Sequence, residues 1–402
     1  NEEVGIEGAG YAATKFDNQI YLGTNNGAFT QKKTTDTSFN NPFKLIPESE
    51  GQVYNFSEVE NQLILNHHKG AFKLKGDKLH KIYNLGSWKF MSTSNPNLIL
   101  GGNYRGISFF KKANSNLTYK HNILNFDESS RIMEFENDST LWMTHGSKGA
   151  YKLTLDNSMN VKGKIEHYGK DDGFPSDRLI SVYSLNEKLV FTSEQGIYDF
   201  NPDLNSFTPN LQLNNLLGTD HISKMASNKS SSIYYIQNKK FGILIQEGFG
   251  TFKNETHIFK HINKYINDDL PNISIIDNNN ILIGAKEGFI QYNPNKKFSI
   301  NKDFRILIRT IEIESPTDSI ISYNPSHIDK IEITEKHSIK FQYAAPYFDG
   351  FQDLKYSYRL LPLNEQWSKW SNKGEKEFTH LPFGEYTLEV KAENIYGFES
   401  NA

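Results

Sequence analysis

The segment LWMTHGSKGAYKL, Leu141 to Leu153, constrains the fold more than any other feature, because the chain repeats it. It alternates apolar and polar residues, breaks at a short polar turn closed by glycine, and alternates again. That is the pattern of a hairpin with one buried face. Degenerate copies read IYLGTNNGAFT from Ile20, LILNHHKGAFKL from Leu63, LILGGNYRGISFF from Leu98, LVFTSEQGIYDF from Leu189, IYYIQNKKFGILI from Ile233 and ILIGAKEGFIQY from Ile281. The closing glycines Gly27, Gly70, Gly106, Gly149, Gly196, Gly242 and Gly288 lie 36 to 47 residues apart, the period of a propeller blade. A lone hairpin cannot bury its apolar face, so the copies must pack on one another. Seven copies predict a seven-bladed β-propeller over residues 1–300.

The blades are expected at Tyr11–Lys33 with an outer strand at Phe43–Ile46, then Val53–Ile82, Trp88–Lys120, Arg131–Tyr168, Leu179–Phe207, Ile222–Phe259 and Ile273–Phe298. Residues 1–9 are expected to supply the outer strand of the last blade, closing the ring and removing its free edges. The loops GKDDGFPSDR and NKYINDDLPN carry turn chemistry and belong on the rim. Helical signals are scarce. From about Asp303 the period is lost, and FRILIRTIEIE, SIISY, KIEIT, SIKFQYAAP, KYSYRLLP and EYTLEVKAEN read as short strands of an immunoglobulin- or fibronectin-like β-sandwich over 303–402, cut short after Ser400. Leu360, Leu388 and Val390 are expected on its inner face. A chain of 402 residues with 21 Tyr and 28 Phe suits this all-β reading.

Composition excludes several functions. There is no cysteine, hence no disulfide or thiolate-bound metal. A net charge of -3 argues against general nucleic-acid binding. No apolar run approaches the roughly 18 residues of a membrane span. No GxSxG, HExxH, P-loop or dinucleotide-binding glycine pattern occurs. The adjacent pairs Asp171–Asp172 and Asp268–Asp269 read as turn residues rather than the paired carboxylates of a glycosidase. Neither catalytic activity nor a cofactor is expected.

A binding surface follows from blade geometry, since the turns between second and third strands share one face around the central channel. They read Asn25–Asn26, His67–His68–Lys69, Asn103–Tyr104–Arg105, Gly146–Ser147–Lys148, Ser193–Glu194–Gln195, Asn238–Lys239–Lys240 and Lys286–Glu287, with His145 beside the fourth. Six cations against two carboxylates, with amides and Tyr104 to stack on a pyranose, suit a carboxylated or sulfated sugar. The plainer reading is that exposed turns favour Asn, Lys and Gly whatever they bind. Trp88 and Arg131 open inner strands and are candidates for the channel, with Glu134 or Glu136 as alternative partners of Arg131. Trp142 reads as blade core rather than a sugar platform. His145 lacks a second ligand at metal spacing, so no metal site is expected.

The run KYSYRLLPLNEQWSKWSNKGEKEFTHLPFGEYTLEVKAENIYG resembles the triple-tyrosine (Y_Y_Y) domain of bacterial sensor proteins through Tyr356, Tyr358, Trp367, Trp370, Leu381, Gly384, Tyr386, Val390, Ala392, Asn394 and Gly397. The blades, SSRIMEFENDSTLWMTHGSKGAYKL above all, resemble the two-component regulator propeller repeats that precede it in hybrid two-component and related regulators of Bacteroidetes. The resemblance implies a periplasmic sensor region of an inner-membrane protein, often recognising a glycan fragment. It also implies a further propeller on the N-terminal side, a transmembrane helix after the sandwich, and a cytoplasmic kinase or helix-turn-helix output. Tyr356, Tyr358, Trp367 and Tyr386 are then structural. The combined expectation is a non-catalytic, oligosaccharide-sensing region signalling through sandwich homodimerisation and touching no nucleic acid itself. The alternatives are a propeller-type polysaccharide lyase or glycosidase, and a protein-interaction scaffold.

Overall fold

The computed structural model describes residues 4–31, 42–113, 116–228, 232–248, 250–296, 303–315, 319–325, 330–334, 336–347 and 353–402. The chain divides into two compact units, Asn1–Lys297 and Phe298–Ala402.

The first unit holds seven successive antiparallel sheets, six of four strands and a seventh of three among the described residues, each paired in chain order. Their inner strands are Gly10–Phe16, Val53–Val59, Ser87–Ser92, Ile132–Asn137, Ser181–Leu185, Ile222–Ser227 and Ile273–Asp277. The second strands Gln62–His67 and Leu98–Asn103 are buried at every residue. This is why LILN and LILGG are continuous apolar-to-small runs: both faces of such a strand meet a neighbouring blade.

Seven apolar clusters lie at seven successive blade junctions. Val53 and Leu65 meet Ala12 and Tyr21, Phe90 and Ile99 meet Val59 and Ile64, and Met133 and Met143 meet Leu100 and Phe109. Phe191 and Phe207 meet Trp142, Met225 and Ile233 meet Tyr183 and Val190, and Ile281 and Ile283 meet Tyr234 and Phe241. The last cluster joins Leu282 of blade seven to Leu22 and Phe29 of blade one through Ile6. One cluster per junction, the seventh joining last to first, makes the sheets a closed ring.

Closure differs from the expectation. The outer strand expected near Phe298 lies outside the described residues. Residues 4–9 form a turn and a single parallel bridge, Ala9 to Gly288, rather than a strand. Gly10 N–H donates to Ala285 O (2.9 Å), Gly288 N–H to Gly8 O (2.7 Å) and the Asn267 amide to Gly10 O (3.1 Å). The seam is thus held by the cluster of Ile6, Leu22, Phe29 and Leu282, by backbone bonds and by the Asn267 side chain.

Blade six also departs from the repeat. Gly242 does not close the turn but lies within the third strand opposite Tyr235, whose ring occupies the space of a Cβ. The turn is instead Asn238–Lys239, with φ of 47° and 61°, a two-residue hairpin of the primed type. A short helix, Leu211–Leu217, interrupts the succession of strands. Asn210 caps it by accepting from Leu213 N–H, and Leu213 and Leu217, one turn apart, fill the junction of blades five and six.

In the second unit one sheet holds Ile320–Tyr323, Leu307–Glu314, Ser338–Ala344 and Glu375–Thr379 in that order, and a second pairs Lys355–Leu361 with Thr387–Glu393. Leu360 opposes Leu388, Tyr358 opposes Val390 and Tyr356 opposes Ala392, placing Leu360, Leu388 and Val390 inside as expected. Tyr343 of the first sheet packs on Tyr356 of the second (5.3 Å). Among the described residues the KIEIT segment pairs with no strand: Ile331 and Ile333 pack on the core while Glu375–Thr379 takes the sheet edge. Tyr386 donates to Pro382 O (2.9 Å). Trp367 lies between the Arg359 guanidinium and the Lys391 ammonium, each 4.8 Å from its ring.

Candidate functional site

The turns between second and third strands are tied by backbone bonds to the segments that enter the blades. Asn25 N–H donates to Ala9 O, Gly51 to Asn26 O, His68 to Gln52 O, Tyr104 to Gly86 O, Ser130 to Asn103 O, Leu179 to Gly146 O and Lys286 to Tyr265 O. One face of the propeller is therefore a hydrogen-bonded belt.

The residue that opens each turn explains the histidines. Thr24 Oγ1, His67 Nδ1, Asn103 Oδ1, His145 Nδ1 and Ser193 Oγ each accept the backbone N–H two residues on, at 2.8–3.2 Å. Five blades use four residue types for one task, capping a turn donor. His67 is buried and stacks on His68 (4.2 Å), and His68 Nδ1 accepts from Gln52 N–H (3.1 Å). Burial first, with the His68 and Lys69 charges adding, holds the His67 pKa down at about 4. The unfolded chain therefore takes up a proton first as pH falls. Stability is lost between about pH 6.5 and 4, by roughly 2–3 kcal/mol from this residue. His67→Asn, which keeps the acceptor, is expected to flatten that slope in unfolding titrations; an unchanged slope would place the titration elsewhere.

Most turn cations are compensated. Lys148 pairs with Glu128 (2.8 Å), Lys239 pairs with Asp268, and Lys69 and Lys286 donate to the Glu50 and Lys264 carbonyls. Arg105, Lys240 and Arg131 are exposed. The Arg131 charge adds to the lowering of the Lys224 pKa, whereas Glu136 accepts from Trp142 and Glu134 from Lys89.

At the channel mouth the structure gathers rings from two blades. Trp88 packs at a tilt against Tyr54 (4.3 Å) and Tyr104 (5.2 Å), the two tyrosine hydroxyls are 2.7 Å apart, and Trp88 Nε1 donates to Ser129 Oγ (3.0 Å). Tyr104 lies across Gly86, whose missing Cβ would fall 2.5 Å from the ring. On the other side of Tyr54, Tyr11 donates to Asp269. Burial, then the hydrogen bond to a neighbour, holds the Tyr11 and Tyr54 hydroxyls well above the usual tyrosine range, so both stay protonated donors. Half-buried rings edged by hydroxyls can take the apolar face and hydroxyls of a sugar.

Deeper in the channel, Lys89 donates to the Met133 carbonyl (3.0 Å) and Glu134 (2.8 Å), and Lys224 lies over the Tyr183 ring (6.0 Å). Sequence reasoning singled out Trp88, Tyr104 and Arg131 but missed Tyr54, Lys89, Tyr183 and Lys224. The available signal was a charged or aromatic residue within an inner strand, as in ISKMAS. Trp142 is core, 1% exposed between blades four and five. The acidic pairs are occupied: Asp172 accepts from Gly169 N–H, Asp268 pairs with Lys239, and Asp269 accepts from Tyr11. No three His, Asp or Glu gather as metal ligands among the described residues. A cavity of about 530 Å³ lies apart from the belt, lined by 121–125 at the end of blade three and by 159–161 and 163–165 of blade four.

These features define an all-β protein in which a propeller precedes a sandwich, and residues 348–402 of that sandwich match the Y_Y_Y domain family. The whole chain superposes on the extracellular domain of BT3049 from B. thetaiotaomicron, described as a hybrid two component system, with a TM-score of 0.61 at 16% identity. It superposes likewise on that of BT4673 from the same organism, with a TM-score of 0.54 at 13% identity. In both cases 100% of this chain aligns with 56% of the other, so the chain spans little more than half their length. No curated protein matches. Among the described residues no helix is long and apolar enough to cross a membrane.

Proposed function

We propose that this chain is the extracytoplasmic ligand-sensing region of a membrane-anchored signalling protein, without catalytic activity of its own, and that its ligand is an oligosaccharide. The sensor reading is supported by a fold shared along the whole chain with extracellular domains of proteins described as two-component systems, together with the Y_Y_Y match. The sugar reading is carried by one observation, the Tyr54–Trp88–Tyr104 cluster at the channel mouth. Because the chain covers 56% of those neighbours, the proposal includes a further propeller of the same polypeptide and a periplasmic location beside an inner-membrane anchor. Signalling then runs through paired sandwiches of a homodimer, whose relative orientation the ligand biases.

The test is a titration of the 402-residue chain with neutral, uronic and sulfated oligosaccharides, following thermal stability and scanning for products. A saturable rise in Tm without cleavage, lost in Trp88→Ala and Tyr104→Ala, is expected. Cleavage would replace the sensor with a lyase or glycosidase, and silence across the panel would remove the sugar.

A further inference from the structure

Most cations at the rim of the propeller are compensated, whereas those reaching the channel outnumber the carboxylate they share. Lys89, Glu134 and Lys224 stand on the inner strands of blades three, four and six, and Arg131 directly precedes the inner strand of blade four. The carboxylate among them, Glu134, is taken by Lys89 (2.8 Å). Lys224 forms no ion pair or hydrogen bond among the described residues; its ammonium has the face of Tyr183 (6.0 Å), and the Tyr183 hydroxyl donates away to Ser223 O (3.0 Å). Three cations therefore share one carboxylate. A half-buried ammonium with an aromatic face but no carboxylate of its own is unfavourable, and like charges gathered in one channel add to the cost. A fixed counter-anion removes both penalties.

We propose that the propeller channel binds one acidic group, a carboxylate, sulfate or phosphate, held by Lys224, Arg131 and the Lys89 ammonium. The site stands on the channel residues alone and does not depend on the ligand being a sugar. It also accounts for the Lys224 ammonium, whose pKa is lowered to about 8 by burial first and by Lys89 next, with Glu134 opposing and Arg131 adding. An anion restores the charged form, so binding is strongest below pH 8 and fades above it.

The experiment follows Tm of the 402-residue chain at fixed ionic strength while chloride is replaced by sulfate or phosphate, at pH 7 and pH 9.5. In the wild type a saturable rise is expected at pH 7, with roughly tenfold weaker binding at pH 9.5. Lys224→Met is expected to fold, since an apolar side chain over the Tyr183 ring replaces a half-buried cation that has no ion pair among the described residues, and to keep only the unsaturable rise that excluded anions give any protein. Arg131→Gln, at an exposed position, folds as the wild type does and binds severalfold more weakly. No saturable rise in the wild type, or the same rise in Lys224→Met, would overturn the site. Competition locates the acid: a uronic oligosaccharide that displaces sulfate where a neutral one does not brings the group on a saccharide, whereas sulfate saturation that neither disturbs marks a free-anion site. A panel of sugars that fails while sulfate still saturates removes the sugar reading and leaves the anion site in place.

Discussion

Trp142→Ala is expected to destabilise the propeller by about 3–5 kcal/mol, the range for truncating a large buried aromatic. Trp142 is 1% exposed and packs against Tyr168, Phe191, Phe200 and Phe207 with ring centroids 5.0–5.7 Å away. Phe191, Phe200 and Phe207 belong to the next blade, so the indole joins blade four to blade five. Its Nε1 donates to Glu136 (2.9 Å), satisfying the polar atom that burial would otherwise leave unpaired. Alanine removes both contributions and leaves a void among rings that cannot all move inward together. Trp142→Phe keeps most of the packing and loses the hydrogen bond, so a smaller cost, about 1–2 kcal/mol, is expected. Urea unfolding, with hydrogen exchange in Thr140–His145 and Lys188–Thr192, measures both. A cost under 1 kcal/mol for the alanine variant would mean that this junction is held elsewhere.

Gly284→Ala is expected to cost on the order of 2–4 kcal/mol, far more than a surface glycine. The new Cβ would fall 2.4 Å from the Gly10 carbonyl oxygen, across the seam where the first inner strand meets the last blade. That carbonyl accepts from the Asn267 amide, and Gly10 N–H donates to Ala285 O, so neither strand can retreat without breaking the bonds that close the ring. The seam has little reserve, its buried cluster being Ile6, Leu22, Phe29 and Leu282. Gly146→Ala is the control, since a Cβ there meets nothing within 4 Å. Hydrogen exchange should show Gly10–Phe16 and Ile273–Asp277 losing protection first in Gly284→Ala. Equal stability of the two variants would show that the ring does not close through Gly10 and Gly284.

Much of the fold was legible because blade packing imposes a local pattern. A strand buried between two blades must be apolar on both faces, so LILN and LILGG announce themselves, and a tight turn leaves its glycine. The pattern failed where other local chemistry substitutes: Asn238–Lys239 turns blade six without the glycine, and the helix Leu211–Leu217 is too short for a periodic stripe. The site was less legible. His67 and His145 look like ligand chemistry in the chain, yet in space each caps a turn as Thr24, Asn103 and Ser193 do, since any side-chain acceptor at that position satisfies the same donor.

The sequence by itself determined the repeat, its count and the inward face of Leu360, Leu388 and Val390, because each rests on a short-range pattern along the chain. Only the tertiary structure decided which charges cancel. Lys148 meets Glu128 and Lys239 meets Asp268 across loops, while Lys224, 135 residues from Lys89, shares a channel with it. Electrostatic energy depends on distance in space, and ring closure sets those distances between residues whose separation along the chain carries no trace of them.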